Sequence, residues 1–135
     1  MSNLNDICKS ILDDVDEALA AAVVDLDSGL LLGVAHNVPY FTQTYLDGVA
    51  AASVDMFRGK AVRNVEKLVA QIRGEEPKPM MQEVQFVTDK TFHFMTAVTG
   101  KPNALAVLVT SKRANMGMGW ASLRAKLGEI APCCP

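Results

Sequence analysis

The chain is most constrained by residues 21–34, AAVVDLDSGLLLGV, where two apolar runs flank Asp27-Ser28-Gly29. Apolar, β-prone runs on either side of a short polar turn read as a β-hairpin. Asp and Ser side chains bond back to nearby amides and Gly tolerates positive φ, so the reversal has a mechanism. Neither run alternates polar with apolar. Both faces of the hairpin must therefore be covered, which asks for helices on each side of a sheet.

The bulk numbers narrow the setting. With 135 residues, 50% of them hydrophobic, the chain is expected to form one domain over residues 1–135. A chain of that length buries roughly two-thirds of its unfolded surface and supports its own core. Its 13 basic and 15 acidic residues give a net charge of −2. The basic residues are scattered, so no nucleic-acid partner is expected. Apolar runs such as residues 18–24 fall far short of the ~18 residues of a membrane span. The start, MSNLND, lacks the basic and apolar regions of a signal peptide, so a cytoplasmic location is expected. Cys8, Cys133 and Cys134 are odd in number and have no metal-ligand spacing. Residues 131–135 read as a flexible tail.

Taken in order, Leu4, Ile7, Cys8, Ile11, Leu12 and Val15 step by three and four, predicting an amphipathic helix capped by Asn3. It ends in Asp13, Asp14, Asp16 and Glu17, read either as a solvated helix end or as an acidic patch for a basic partner. After the hairpin comes the longest periodic segment, residues 41–73. Phe41, Tyr45, Val49, Ala52 and Met56 form one apolar row, and Leu46, Ala50, Ser53 and Phe57 a neighbouring one. A helix apolar on more than one face needs more than one partner: the sheet, and the same helix of a second copy. Phe57, Ala61, Val65, Leu68 and Ile72 continue as a single stripe, with a bend allowed at Arg58-Gly59-Lys60. Three strands are predicted within residues 80–88, 91–98 and 105–109, with turns at Asp89-Lys90 and Gly100-Lys101-Pro102-Asn103. A final helix carries Met116, Trp120, Leu123, Leu127 and Ile130. This order predicts an α+β fold: a five-stranded antiparallel sheet between helices.

Catalytic patterns are missing from the sequence. His36 and His93 have no HxxxH or HExxH context, no serine sits in a nucleophile elbow, and Gly117-Met118-Gly119 is only a fragment of a phosphate-binding loop. No catalytic residue, cofactor or metal site is expected, and the chain is read as a non-enzyme. Phe92, Phe94, Met95 and Met81, adaptable apolar groups, motivate an alternative reading as a small-ligand-sensing module.

The sequence Val23-Val24-Asp25-Leu26-Asp27-Ser28-Gly29, the apolar strand after it, the long helix, the three-strand meander and the closing helix together resemble the roadblock family. This is the dynein light-chain roadblock type of domain, including its bacterial and archaeal branch. The resemblance implies a profilin-like order α-β-β-α-β-β-β-α, with the long helix on one sheet face and the terminal helices on the other. It implies a homodimer in which long helices pair and edge strands join. That places Tyr45, Val49, Ala52, Met56, Arg63, Val84 and Phe86 at the dimer interface. It also implies a non-catalytic adaptor or scaffold role with a small Ras-like GTPase as partner, for which Arg58 and Arg63 are candidate contacts.

Overall fold

The computed structural model describes residues 3–135. Helix α1 (Leu4–Asp14) begins where the Asn3 side-chain oxygen accepts the Asp6 N–H at 2.9 Å, satisfying one of the first-turn amides. Its buried residues, Leu4, Ile7, Cys8 and Ile11, follow the expected spacing. The chain then turns at Glu17, whose φ is +69°. Glu17 is a tether: its carbonyl accepts the Ser111 N–H at 3.0 Å and its carboxylate the Ser111 hydroxyl at 2.7 Å.

Strands β1 (Ala18–Asp25) and β2 (Leu31–His36) form the hairpin. Asp25 organises its turn, accepting from the Asp27 amide at 3.1 Å and the Ser28 hydroxyl at 2.7 Å, while Gly29 takes φ +76°. Together with β3 (Glu83–Val87), β4 (Thr91–Val98) and β5 (Lys101–Ser111) the hairpin builds one antiparallel sheet, ordered β2-β1-β5-β4-β3. Val23 and Val24, neighbours on β1, are both fully buried but in different clusters. Successive side chains point to opposite faces, and both faces are covered, as the unbroken apolar runs require.

One face packs against α1 and the C-terminal helices α4 (Met116–Ala125) and α5 (Leu127–Ile130), through Phe94, Leu108, Leu123 and Ile130. The other packs against helix α2 (Gln43–Arg58) through Leu46, Ala50, Phe57, Met95 and Leu105. The fold class is thus the α+β arrangement expected. Among the described residues no helix is long and apolar enough to cross a membrane.

The break allowed at Arg58-Gly59-Lys60 is present, and two other boundaries differ from expectation. The helix over residues 41–73 divides at Gly59 into α2 and α3 (Lys60–Arg73). Gly59 is extended at φ −61°, ψ 159°, and a Cβ there would sit 2.2 Å from the Asp55 carbonyl oxygen, so only glycine fits. The break rotates the apolar stripe out of register with the core. Phe57 is fully buried, but Val65 and Leu68 are each 58% exposed and Ile72 is 85% exposed. Next, the β4–β5 reversal is tighter than the four residues expected: Val98 pairs with Lys101, and Lys101 and Pro102 already belong to β5. Finally, residues 131–135 do not form the expected tail. Ala131–Cys133 is a 3-10 turn that seats Cys134 in the α1-side cluster, where burial raises its thiol pKa.

Candidate interaction surface

The two edges of the sheet are treated differently. On β2 the outward Val34 N–H donates to the Asn5 side-chain oxygen at 2.9 Å. Gly33 lies so close to α1 that a Cβ would come within 2.6 Å of Leu4 Cβ. Helix α1 therefore packs over the face of β2 and caps that edge at Val34, one of the ways proteins block strand addition. At the far edge, Ala97 N–H donates to the Gln82 carbonyl at 2.8 Å and Thr88 N–H to the Thr91 carbonyl at 2.9 Å. Hydrogen-bonded pairs alternate along an antiparallel ladder, so Val84 and Phe86 bond to β4. Glu83, Gln85 and Val87 direct their backbone groups away from it. The outer edge of β3 is an open template.

The side chains of β3 divide between faces. Gln85 accepts the Trp120 indole N–H at 2.7 Å, and Glu83 pairs bidentately with Arg124, whose guanidinium also lies 4.7 Å over the Trp120 ring. The Arg124 bond holds the Glu83 carboxyl below the usual carboxylate range. Val84 and Phe86 face the α2 side, where they and Met56 flank the same buried cluster. Phe86 stacks on His93, centroids 4.2 Å apart. His93 is buried, its Nε2 is 2.9 Å from the Thr91 hydroxyl, and its Nδ1 is left without a partner; burial lowers its pKa.

The two rows on α2 separate as their spacing predicts. Leu46, Ala50, Ser53 and Phe57 are buried. In the other row Tyr45 is 41% exposed and stacks on Phe41, Val49 and Met56 are half-buried, and Ala52 is exposed. Of the proposed interface residues, Met56, Val84 and Phe86 meet at one cluster. Arg63 lies beyond the Gly59 break on α3, lining a cleft with Arg58, Lys67 and Lys78. Arg58 is anchored by the Pro102 and Phe57 carbonyls, at 2.6 and 3.3 Å. The sequence carries no sign of Gln85 as a link to α4 or of His93 as a buried group, and the α3 stripe it predicts is exposed.

The four residues behind the ligand-sensing reading are not brought together. Phe94 and Met95 are fully buried on opposite faces, as period-two alternation demands, Phe92 packs with Phe94, and Met81 is on the surface. Beneath α2 the sheet leaves an apolar gap of only about 20 Å³, about one water molecule's space.

The sheet order, the helix placement and the single open edge define a roadblock-type α+β fold. No family model and no curated protein matches the sequence; the likeness is carried by structure. A roadblock/LC7 domain from Streptomyces avermitilis aligns over 97% of both chains at 16% identity, with a TM-score of 0.68. The gliding protein MglB from Thermus thermophilus aligns over 95% of this chain and 85% of its own at 17% identity and TM-score 0.68. An MglB in a tetrameric arrangement gives the same coverage and identity with a TM-score of 0.73.

Proposed function

We propose that the chain is a non-catalytic, homodimeric adaptor that engages a small Ras-like GTPase or serves as a scaffold subunit. The observation that supports it most is the juxtaposition of an open β3 edge with a half-exposed apolar row on α2, while the opposite edge is capped by α1 at Val34. Antiparallel pairing about a two-fold axis at Gln85 sets Glu83 opposite Val87 of the second copy. That uses all three outward-facing residues and satisfies the self-complementarity of a closed dimer. The tetrameric MglB neighbour agrees with self-association, and the GTPase partner follows the roadblock resemblance.

Light scattering is expected to give the mass of a dimer at micromolar concentration. Ala52→Asp, which buries an unpaired carboxylate if this face is the interface, is expected to give monomers. A monomeric wild type sinks the dimer. A Ras-like GTPase whose nucleotide exchange and hydrolysis are unchanged, and which does not bind the chain, sinks the partner assignment.

A further inference from the structure

Two adjoining clefts lie beside the Gly59 break, sharing Arg58 and Pro79 as a common wall. The smaller, about 250 Å³, lies between α3 and the segment after it, with Arg63 and Lys67 on one side and Lys78 on the other. The larger, about 620 Å³, runs under the β4–β5 turn to Arg124 on α4, over an apolar floor that includes Met81, Val98 and Leu127. Its size is in the range of sites that hold ligands.

The trough is predominantly basic. Of its two acids, Glu83 is paired with Arg124, and Glu66 alone, buried and accepting the Met80 N–H at 2.8 Å, stands against four cations. Among the described residues Arg58, Arg63, Lys67 and Lys78 make no ion pair. Arg58 is held by two carbonyls, which fix its position and leave its charge uncompensated. Four cations, one of them held in place, thus line one trough of a chain whose net charge is −2.

All four cations line the smaller cleft, and Arg58 is shared with the larger cleft beside it. Such a set suits a ligand whose carboxylates fill the smaller cleft and whose chain runs on into the larger. The apolar floor of the larger cleft adds a place for an uncharged side chain. We infer that this trough docks an extended acidic segment of a partner protein, with carboxylates on Arg58, Arg63, Lys67 and Lys78 and an apolar residue seated over Met81, Val98 and Leu127. The trough is formed within one protomer and does not depend on the dimer.

The test uses the full chain and a fluorescein-labelled peptide alternating Glu and Pro and ending in leucine, a sequence that stays extended. Anisotropy should rise with the acidic peptide and not with its Lys-Pro counterpart. It should fall as salt shortens the screening length from about 30 Å at 0.01 M to about 8 Å at 0.15 M. Arg63→Glu with Lys78→Glu should weaken binding by roughly tenfold or more, because attraction becomes repulsion, at an unchanged melting temperature. Should that variant fold poorly, Arg63→Ala with Lys78→Ala should still weaken binding. The Ala52→Asp variant should bind as the wild type does, which separates this outcome from failure of the dimer.

Absence of an anisotropy rise, or equal binding by the charge-reversed variant, overturns the inference. So does binding of the acidic peptide no tighter than that of inorganic pyrophosphate, which marks a simple anion site. A loss of oligomeric mass on Asp13→Lys with Asp14→Lys also overturns it, because the acidic end of α1 in a second copy then fills the trough.

Discussion

Substituting Gly33 by alanine tests whether α1 caps the β2 edge. The added Cβ would lie 2.6 Å from Leu4 Cβ and 2.9 Å from the Leu4 carbonyl carbon. One neighbour is backbone, so rotation of a side chain cannot relieve the contact and α1 must move. Overpacking of this kind costs about 1–3 kcal/mol. The displacement also breaks the bond from Val34 N–H to Asn5, now 2.9 Å long, for about another 1 kcal/mol. The sum, about 2–4 kcal/mol, is a large share of the ~5–15 kcal/mol that holds a domain together. For a chain of this length it corresponds to a melting temperature lower by roughly 7–14 °C. Thermal unfolding followed by circular dichroism measures the first part. Light scattering measures the second, because an uncapped β2 gives each copy two open edges and should yield species larger than the wild type. A variant melting within about 2 °C of wild type and keeping its mass would refute the reasoning.

Two further expectations follow from the site. Gly59→Ala cannot keep the extended geometry beside the Asp55 carbonyl, and alanine favours a continuous helix by about 1 kcal/mol. Spin labels at Asp47 and Gln71 should move apart as α2 and α3 straighten, and an unchanged distance would show that the break has another cause. His93 has a folded-state pKa held below its ordinary value by burial. The unfolded chain therefore takes up the proton first. The stability that neutral His93 contributes is fully present above about pH 6.5 and is lost as the pH falls through the depressed folded value. Urea midpoints of the wild type should drop below that of His93→Phe, relative to pH 7.5, over this acid range. Parallel profiles would remove His93 from the account.

How much of this was legible in the sequence depends on what each signal reports. Spacing alone placed α1, both rows of α2 and the bounds of β4, because burial on one face leaves a periodic trace. Periodicity says which residues share a face but not where the axis points. The stripe from Phe57 to Ile72 reads the same in a straight or a broken helix, and only the position of Gly59 hinted at the difference. Closeness in sequence misled in the opposite way. Phe94 and Met95 are adjacent yet occupy different cores. Glu17 and Ser111, joined by two hydrogen bonds, carry no local signal of each other. The basic residues that look scattered converge because the segment after α3 folds back along it, setting Lys78 across from Arg63 and Lys67.

The break at Gly59 also gives the molecule a lever. Helix α3 has 14 residues, so at 1.5 Å per residue it is an arm of about 21 Å pivoting on one residue without a side chain. A change of roughly 10° in the backbone at that pivot sweeps the far end by roughly 4 Å, given that length. The arm is moored at mid-length where Glu66 accepts the Met80 N–H. A load on its outer face is therefore transmitted along a stiff rod to the last turn of α2 and to the segment that leads into β3.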